Sequence, residues 1–99
     1  MRVRYTDTAL AEIEAILSYI AGDSPSAAAT VATQIRRTVT LIGAAPKIGR
    51  VKYRQVVRML PVRRYRQYLS FYTIEGNEVV ILNVRHAARR RPWEDDTLS

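Results

Sequence analysis

The sequence predicts an α+β domain in the order β-α-α-β-β-β, with an antiparallel sheet packed on an α-helical hairpin. Three observations predict it. Apolar residues recur with the helical period over two adjacent stretches joined by "GDSP". Three runs rich in β-branched and aromatic residues occupy the second half, and "EGNE" links the last two as a hairpin. Helices first and strands afterwards, on a 99-residue chain, point to one layer of helix covering one sheet.

"RVRYT", residues 2–6, alternates Val3 and Tyr5 with Arg2 and Arg4, as a strand with one wet face does. From Leu10 the apolar positions are Leu10, Ile13, Ile16, Leu17, Ile20 and Ala21, one helical stripe, so a helix is expected over about residues 7–21 with Thr6 or Asp7 as N-cap. Ser24 can cap a second helix and Pro25 suits its first position, where no N–H partner is available. The run "TVATQIRRTVTLI" is β-branched enough to resemble a strand. Ala28, Val31, Ala32, Ile35, Val39 and Ile42 nevertheless keep the helical period, which predicts a helix over 25–43 ended by Gly43 and Pro46. "APKIGRVKYRQ", 45–55, reads as a basic loop with Gly49 as a positive-φ candidate. Strands are expected at 56–60, 67–74 and 78–85. On the middle strand Leu69 and Phe71 share one face and Tyr68 and Tyr72 the other, so both sheet faces carry apolar side chains.

A domain of this length buries roughly 65% of its unfolded surface, enough for one core. Its 47% hydrophobic and 25% charged residues are those of a folded globular chain. Residues 1–91 are expected to form the single domain and 92–99 a flexible tail. Zero cysteines remove disulfides and thiolate chemistry, and a single histidine argues against a metal site; no cofactor is expected. Met1 leads into "RVRYTD" with no signal-peptide core, and no apolar run is long enough to cross a bilayer, so a cytoplasmic protein is expected.

The net charge of +7 is unevenly spread. Residues 1–46 balance four basic against four acidic side chains, whereas 47–91 hold twelve basic and two acidic. Such an imbalance calls for an acidic partner, either nucleic acid or an acidic protein segment. Arginine outnumbers lysine fourteen to two, and its fork suits carboxylate and phosphate groups.

Four blocks in register carry a family likeness: "A..EIEAILSYIAGDSPSAA" in the helical hairpin, "P..GR" (Pro46, Gly49, Arg50), "R.LPVRRY" (Arg58 to Tyr65) and the closing "VVILNVRHAAR". Over residues 3–89 the chain resembles the ParE branch of the RelE/ParE toxin superfamily. The resemblance implies the toxin of a bacterial type II toxin–antitoxin pair, held inactive in a hetero-oligomer by a ParD-like antitoxin with an acidic amphipathic tail. ParE-like members characteristically poison DNA gyrase by binding it, while RelE-like members cut mRNA on the ribosome. The antitoxin often covers an apolar sheet face in the family, so free toxin is expected to be prone to self-association.

The segment "VRHAARRRPWEDD", 84–96, tests the two activities. RNA cleavage through the 2′-hydroxyl needs a base, an acid and positive charge on the phosphoryl group. His86 could be the base, Arg64 or Arg58 the charge, and Trp93 or Tyr65 a stacking platform. The acids of the basic half do not complete the set: Glu75 and Glu78 flank a hairpin tip, and Glu94, Asp95 and Asp96 fall in the expected tail. The blander reading places His86 at the end of the last strand, its ring packed on a neighbouring strand or bonded to backbone. Tyr19, Tyr65, Tyr68 and Tyr72 read first as packing residues. The favoured reading is an inhibitor without turnover, with Arg50, Arg58, Arg63, Arg64, Arg66, Arg85, Arg89 and Arg90 facing target or antitoxin. The alternative is a ribosome-dependent endoribonuclease using His86 and arginines.

Overall fold

The computed structural model describes residues 1–88; Arg89, Arg90, Trp93 and the 92–99 stretch lie outside the described residues. Strands β1 (Arg2–Tyr5), β2 (Arg50–Tyr53), β3 (Val57–Val62), β4 (Tyr65–Glu75) and β5 (Glu78–His86) form one sheet in the order β1-β5-β4-β3-β2. Helices α1 (Asp7–Asp23) and α2 (Pro25–Ala44) separate β1 from the rest and pack on one face. Among the described residues no helix is long and apolar enough to cross a membrane.

The expected α+β architecture is present, with three corrections. The sheet is mixed and not wholly antiparallel, because β1 pairs in parallel with β5, Arg2 opposite Glu78 through Tyr5 opposite Ile81. Alternation along "RVRYT" identifies a strand but carries no information on direction. The junction between β1 and α1 sets the direction: Thr6 donates its N–H to Ile81 O at 3.0 Å and its hydroxyl to Leu82 O at 3.0 Å, which starts α1 directly over β5. Secondly, the loop at 45–55 contains a short 3₁₀ turn (Pro46–Ile48) and the edge strand β2. Three of the four β2 residues are exposed, so no apolar alternation betrays it. Thirdly, Gly49 has φ −72°, an ordinary value, and needs to be glycine for space: a Cβ there would lie 2.5 Å from the Tyr72 hydroxyl oxygen.

The caps behave as local chemistry dictates. The Thr6 hydroxyl accepts from Ala9 N–H at 3.0 Å and the Ser24 hydroxyl from Ala27 N–H at 3.1 Å, each worth about 1 kcal/mol. Pro25 occupies the start of α2. Gly43 does not stop that helix, which runs to Ala44; it is buried inside the last turn, where a Cβ would come 2.9 Å from Val3 Cγ2. Leu10, placed on the stripe by spacing, is exposed, and Ala9 takes the buried position.

The main core lies between helices and sheet, built on Val31, Ile35, Ile42, Tyr72, Val79 and Ile81. A second cluster of Val57, Leu69 and Phe71 sits on the opposite face, covered by Tyr53, Met59 and Leu82. Leu69 and Phe71 thus share a face while Tyr68 and Tyr72 belong to the helical side.

Candidate functional site

Two concave regions beside the helices hold four of the sequence candidates, Arg85 and His86 in one and Arg63 and Arg64 in the other. The first is a groove of about 420 Å³ between α1 and the end of β5, lined by Glu12, Ile16, Tyr19, Tyr68, Arg85 and His86. Its floor depends on a register irregularity. Phe71 opposes Asn83 but Tyr72 opposes Ile81, so Leu82 is an extra residue on β5, a bulge that interrupts the ladder. The start of α1 satisfies the groups around the bulge. Thr6 takes the Leu82 carbonyl, and the Glu12 carboxylate accepts from Val84 N–H at 3.2 Å and Asn83 Nδ2 at 3.1 Å. Arg85 Nε also donates to Glu12, completing an ion pair whose acid is only 15% exposed.

Glu12 is the residue that sequence reasoning missed. It lies seventy-three positions from Arg85, and its one signal is indirect: a carboxylate at i, with Ile16 at i+4 and Tyr19 at i+7, lies on the helix face toward the sheet. Tyr19, expected as a packing residue, is 83% exposed and forms the outer wall of the groove.

His86 closes the strand. Its ring meets Tyr68 edge-on, centroids 5.4 Å apart at 86°, and Nδ1 accepts from the Ala88 N–H at 3.0 Å. That bond leaves Nε2 as the nitrogen that carries a proton in the neutral ring. The imidazole, Arg85 and Glu12 therefore line one groove, but the carboxylate is already an acceptor for three donors.

The second region is a cleft of about 500 Å³ between α2 and the β3–β4 turn, lined by Gln34, Arg37, Thr40, Arg63 and Arg64 among others. Arg37 is a further member that its place in the neutral half concealed. The turn is pinned from beneath: the buried Thr38 hydroxyl accepts from Arg63 N–H at 3.0 Å while donating to Gln34 O at 2.8 Å. Arg64 has φ +69°, a left-handed conformation that a residue with a Cβ adopts only at a cost.

The remaining arginines do not form one continuous patch with these. Arg58 turns inward, its Nη1 donating to Gly49 O at 2.8 Å and Lys47 O at 3.3 Å. Beside it the Tyr72 hydroxyl donates to Pro46 O at 2.6 Å and accepts from Gly49 N–H at 2.8 Å. Burial pushes this phenol above its ordinary pKa of 10.0, against the Gly49 bond and the nearby Arg58 charge, both of which lower it. Arg58 is thus a clamp on the β2 approach. Arg85 is committed to Glu12, and Arg50 and Arg66 are exposed on β2 and β4. Among the described residues no group of three His, Cys, Asp or Glu side chains could hold a metal ion.

Comparison with known proteins bears on this arrangement. Residues 3–91 match the model of the ParE toxin of the type II toxin–antitoxin system, parDE. The chain belongs to the ParE toxin family. Among solved structures the ParE-family fold is similar to a chain of the chromosomal ParDE TA system from P. aeruginosa, with a TM-score of 0.74 and 25% sequence identity. That match covers 87% of this chain and 95% of the other. No curated protein gives a significant match. A toxin of a type II toxin–antitoxin system implies an antitoxin partner.

Proposed function

We propose that this ParE-family toxin acts by binding DNA gyrase without turnover, in the cytoplasm, and is neutralised by a ParD-like antitoxin with an acidic amphipathic tail. The observation that carries the reading is the state of the groove at His86. A general acid–base pair needs two groups free to exchange protons with substrate. Here the carboxylate beside His86 is not free: Glu12 accepts from Asn83, Val84 and Arg85 and holds the bulge and Arg85 together. The same groove, with Ile16, Tyr19 and Tyr68 open to a partner, suits the apolar face of an antitoxin segment.

The rival reading, a ribosome-dependent endoribonuclease, is favoured by one observation: His86, Arg85 and Glu12 line a single cavity. One experiment separates the two. Controlled expression should induce the DNA-damage response, purified toxin should block supercoiling by gyrase, and primer extension on cellular mRNA should show no new ends. Codon-positioned mRNA cuts that vanish in His86→Ala would reverse the assignment.

A further inference from the structure

The cleft between α2 and the β3–β4 turn is a surface that neither the groove at His86 nor the core explains. Arg37, Arg63 and Arg64 converge on it, and among the described residues none of the three has an acidic partner. The Arg63 N–H is bonded to the Thr38 hydroxyl, which ties the backbone of the turn that presents two of them to α2. Arg64 is the informative member. It occupies a left-handed backbone position, φ +69°, which glycine fills without strain, and it is exposed, so packing does not account for an arginine there.

From these observations we propose that the Arg37–Arg63–Arg64 cleft binds the phosphodiester backbone of DNA. Guanidinium forks match phosphate oxygens, and three within one cleft can contact adjacent phosphates of a strand. The choice of nucleic acid over an acidic polypeptide rests on what the cleft lacks. A protein interface is centred on buried apolar or aromatic anchors. The apolar lining of the cleft is Leu41 and Ala44, with no aromatic side chain, and the large exposed apolar side chains of the described residues, Leu10, Tyr19, Ile48, Val51 and Val56 with Met1, lie elsewhere. A surface offering three guanidinium groups and no aromatic anchor fits a partner recognised through its charge, as a DNA backbone is. This goes beyond gyrase inhibition and does not depend on it, since the contact is between toxin and DNA alone.

The test is fluorescence anisotropy of a labelled 20-base-pair duplex titrated with the full chain, without gyrase, over a series of salt concentrations. Three phosphate contacts give a slope of log K against log salt of about −2.7. Arg37→Ala, Arg63→Ala and Arg64→Gly should each reduce that slope by about one. Arg2→Ala, on the far edge strand, should leave it unchanged. Arg64→Gly should also melt no lower than the parent, which separates loss of binding from loss of fold. Equal slopes in the parent and all three cleft variants would overturn the proposal, as would an equal loss in Arg2→Ala. Polyglutamate of matched charge binding more tightly than the duplex, and losing that affinity in the same variants, would assign the cleft to an acidic polypeptide and overturn it too. A failed supercoiling assay would touch only the gyrase reading.

Discussion

Replacing Glu12 with alanine removes a carboxylate that joins α1 to the end of β5 at three points. Two of the donors, Val84 N–H and Asn83 Nδ2, belong to buried residues, and the third is the Arg85 guanidinium, whose side chain is 26% exposed. In the variant the Val84 N–H loses its acceptor next to a bulge that already lacks a ladder partner. A buried donor left without a partner costs about 1–3 kcal/mol, and breaking a buried ion pair about 3–5 kcal/mol. Arg85 can still reach solvent, so the ionic part is discounted, and the loss expected is about 2–4 kcal/mol. For a domain of this size each kcal/mol moves Tm by roughly 4–8 °C, so a fall of at least about 8 °C should appear in thermal unfolding followed by circular dichroism. Arg85→Ala should cost less, because Glu12 keeps its two other donors, and the double variant should show a coupling of about 1 kcal/mol or more. A Glu12→Ala protein within about 0.5 kcal/mol of the parent would refute the claim that this carboxylate organises the groove.

Three other substitutions have outcomes set by the same structure. Tyr72→Phe strips both hydroxyl bonds from a fully buried residue and should cost about 1–3 kcal/mol in urea unfolding. It should also flatten the alkaline limb of the stability curve. The folded phenol holds its proton more tightly than the unfolded one, so above pH 10.0 the unfolded chain binds fewer protons and stability falls as pH rises, until the folded phenol titrates; below pH 10.0 the contribution is fully present. Gly49→Ala should lose about 1–3 kcal/mol, since its Cβ would sit 2.5 Å from a hydroxyl oxygen that two hydrogen bonds hold in place; an unchanged melting point would mean that Tyr72 moves aside freely. His86→Ala should cost no more than about 1 kcal/mol, given an exposed ring at a strand end, and should leave growth arrest on induction intact.

Much of the fold was legible because it is written in local chemistry. Thr6 and Ser24 read as caps, Pro25 as a helix start and the 3.6 period through Val31, Ile35, Val39 and Ile42 as a helix despite its β-branched content, since each depends on neighbours within one or two turns. The candidate regions were legible only in part. Arg63 and Arg64 were evident as a dense basic pair, yet Arg37 joins them across a helix–turn contact, and Glu12 joins Arg85 across nearly the whole chain. Arg58 and Arg85 read as surface charge and turn out to be fastened to carbonyls and a carboxylate, because a guanidinium on a long stem can fold back onto any acceptor within reach.

The sequence by itself determined the element types, the helical hairpin, the location of basic charge along the chain and, through four blocks in register, the family. It did so because periodicity, capping and turn residues act over a few positions. Only the tertiary structure decided the direction of β1, the existence of β2, the space that Gly49 must leave and the commitment of Glu12 to a bulge on β5. Three of these are set by an atom far away in sequence: Ile81 and Leu82 for Thr6, Tyr72 for Gly49, Val84 and Arg85 for Glu12. Residue spacing records which face a side chain occupies, and the partner it meets there exists only once the sheet and the hairpin have closed on each other.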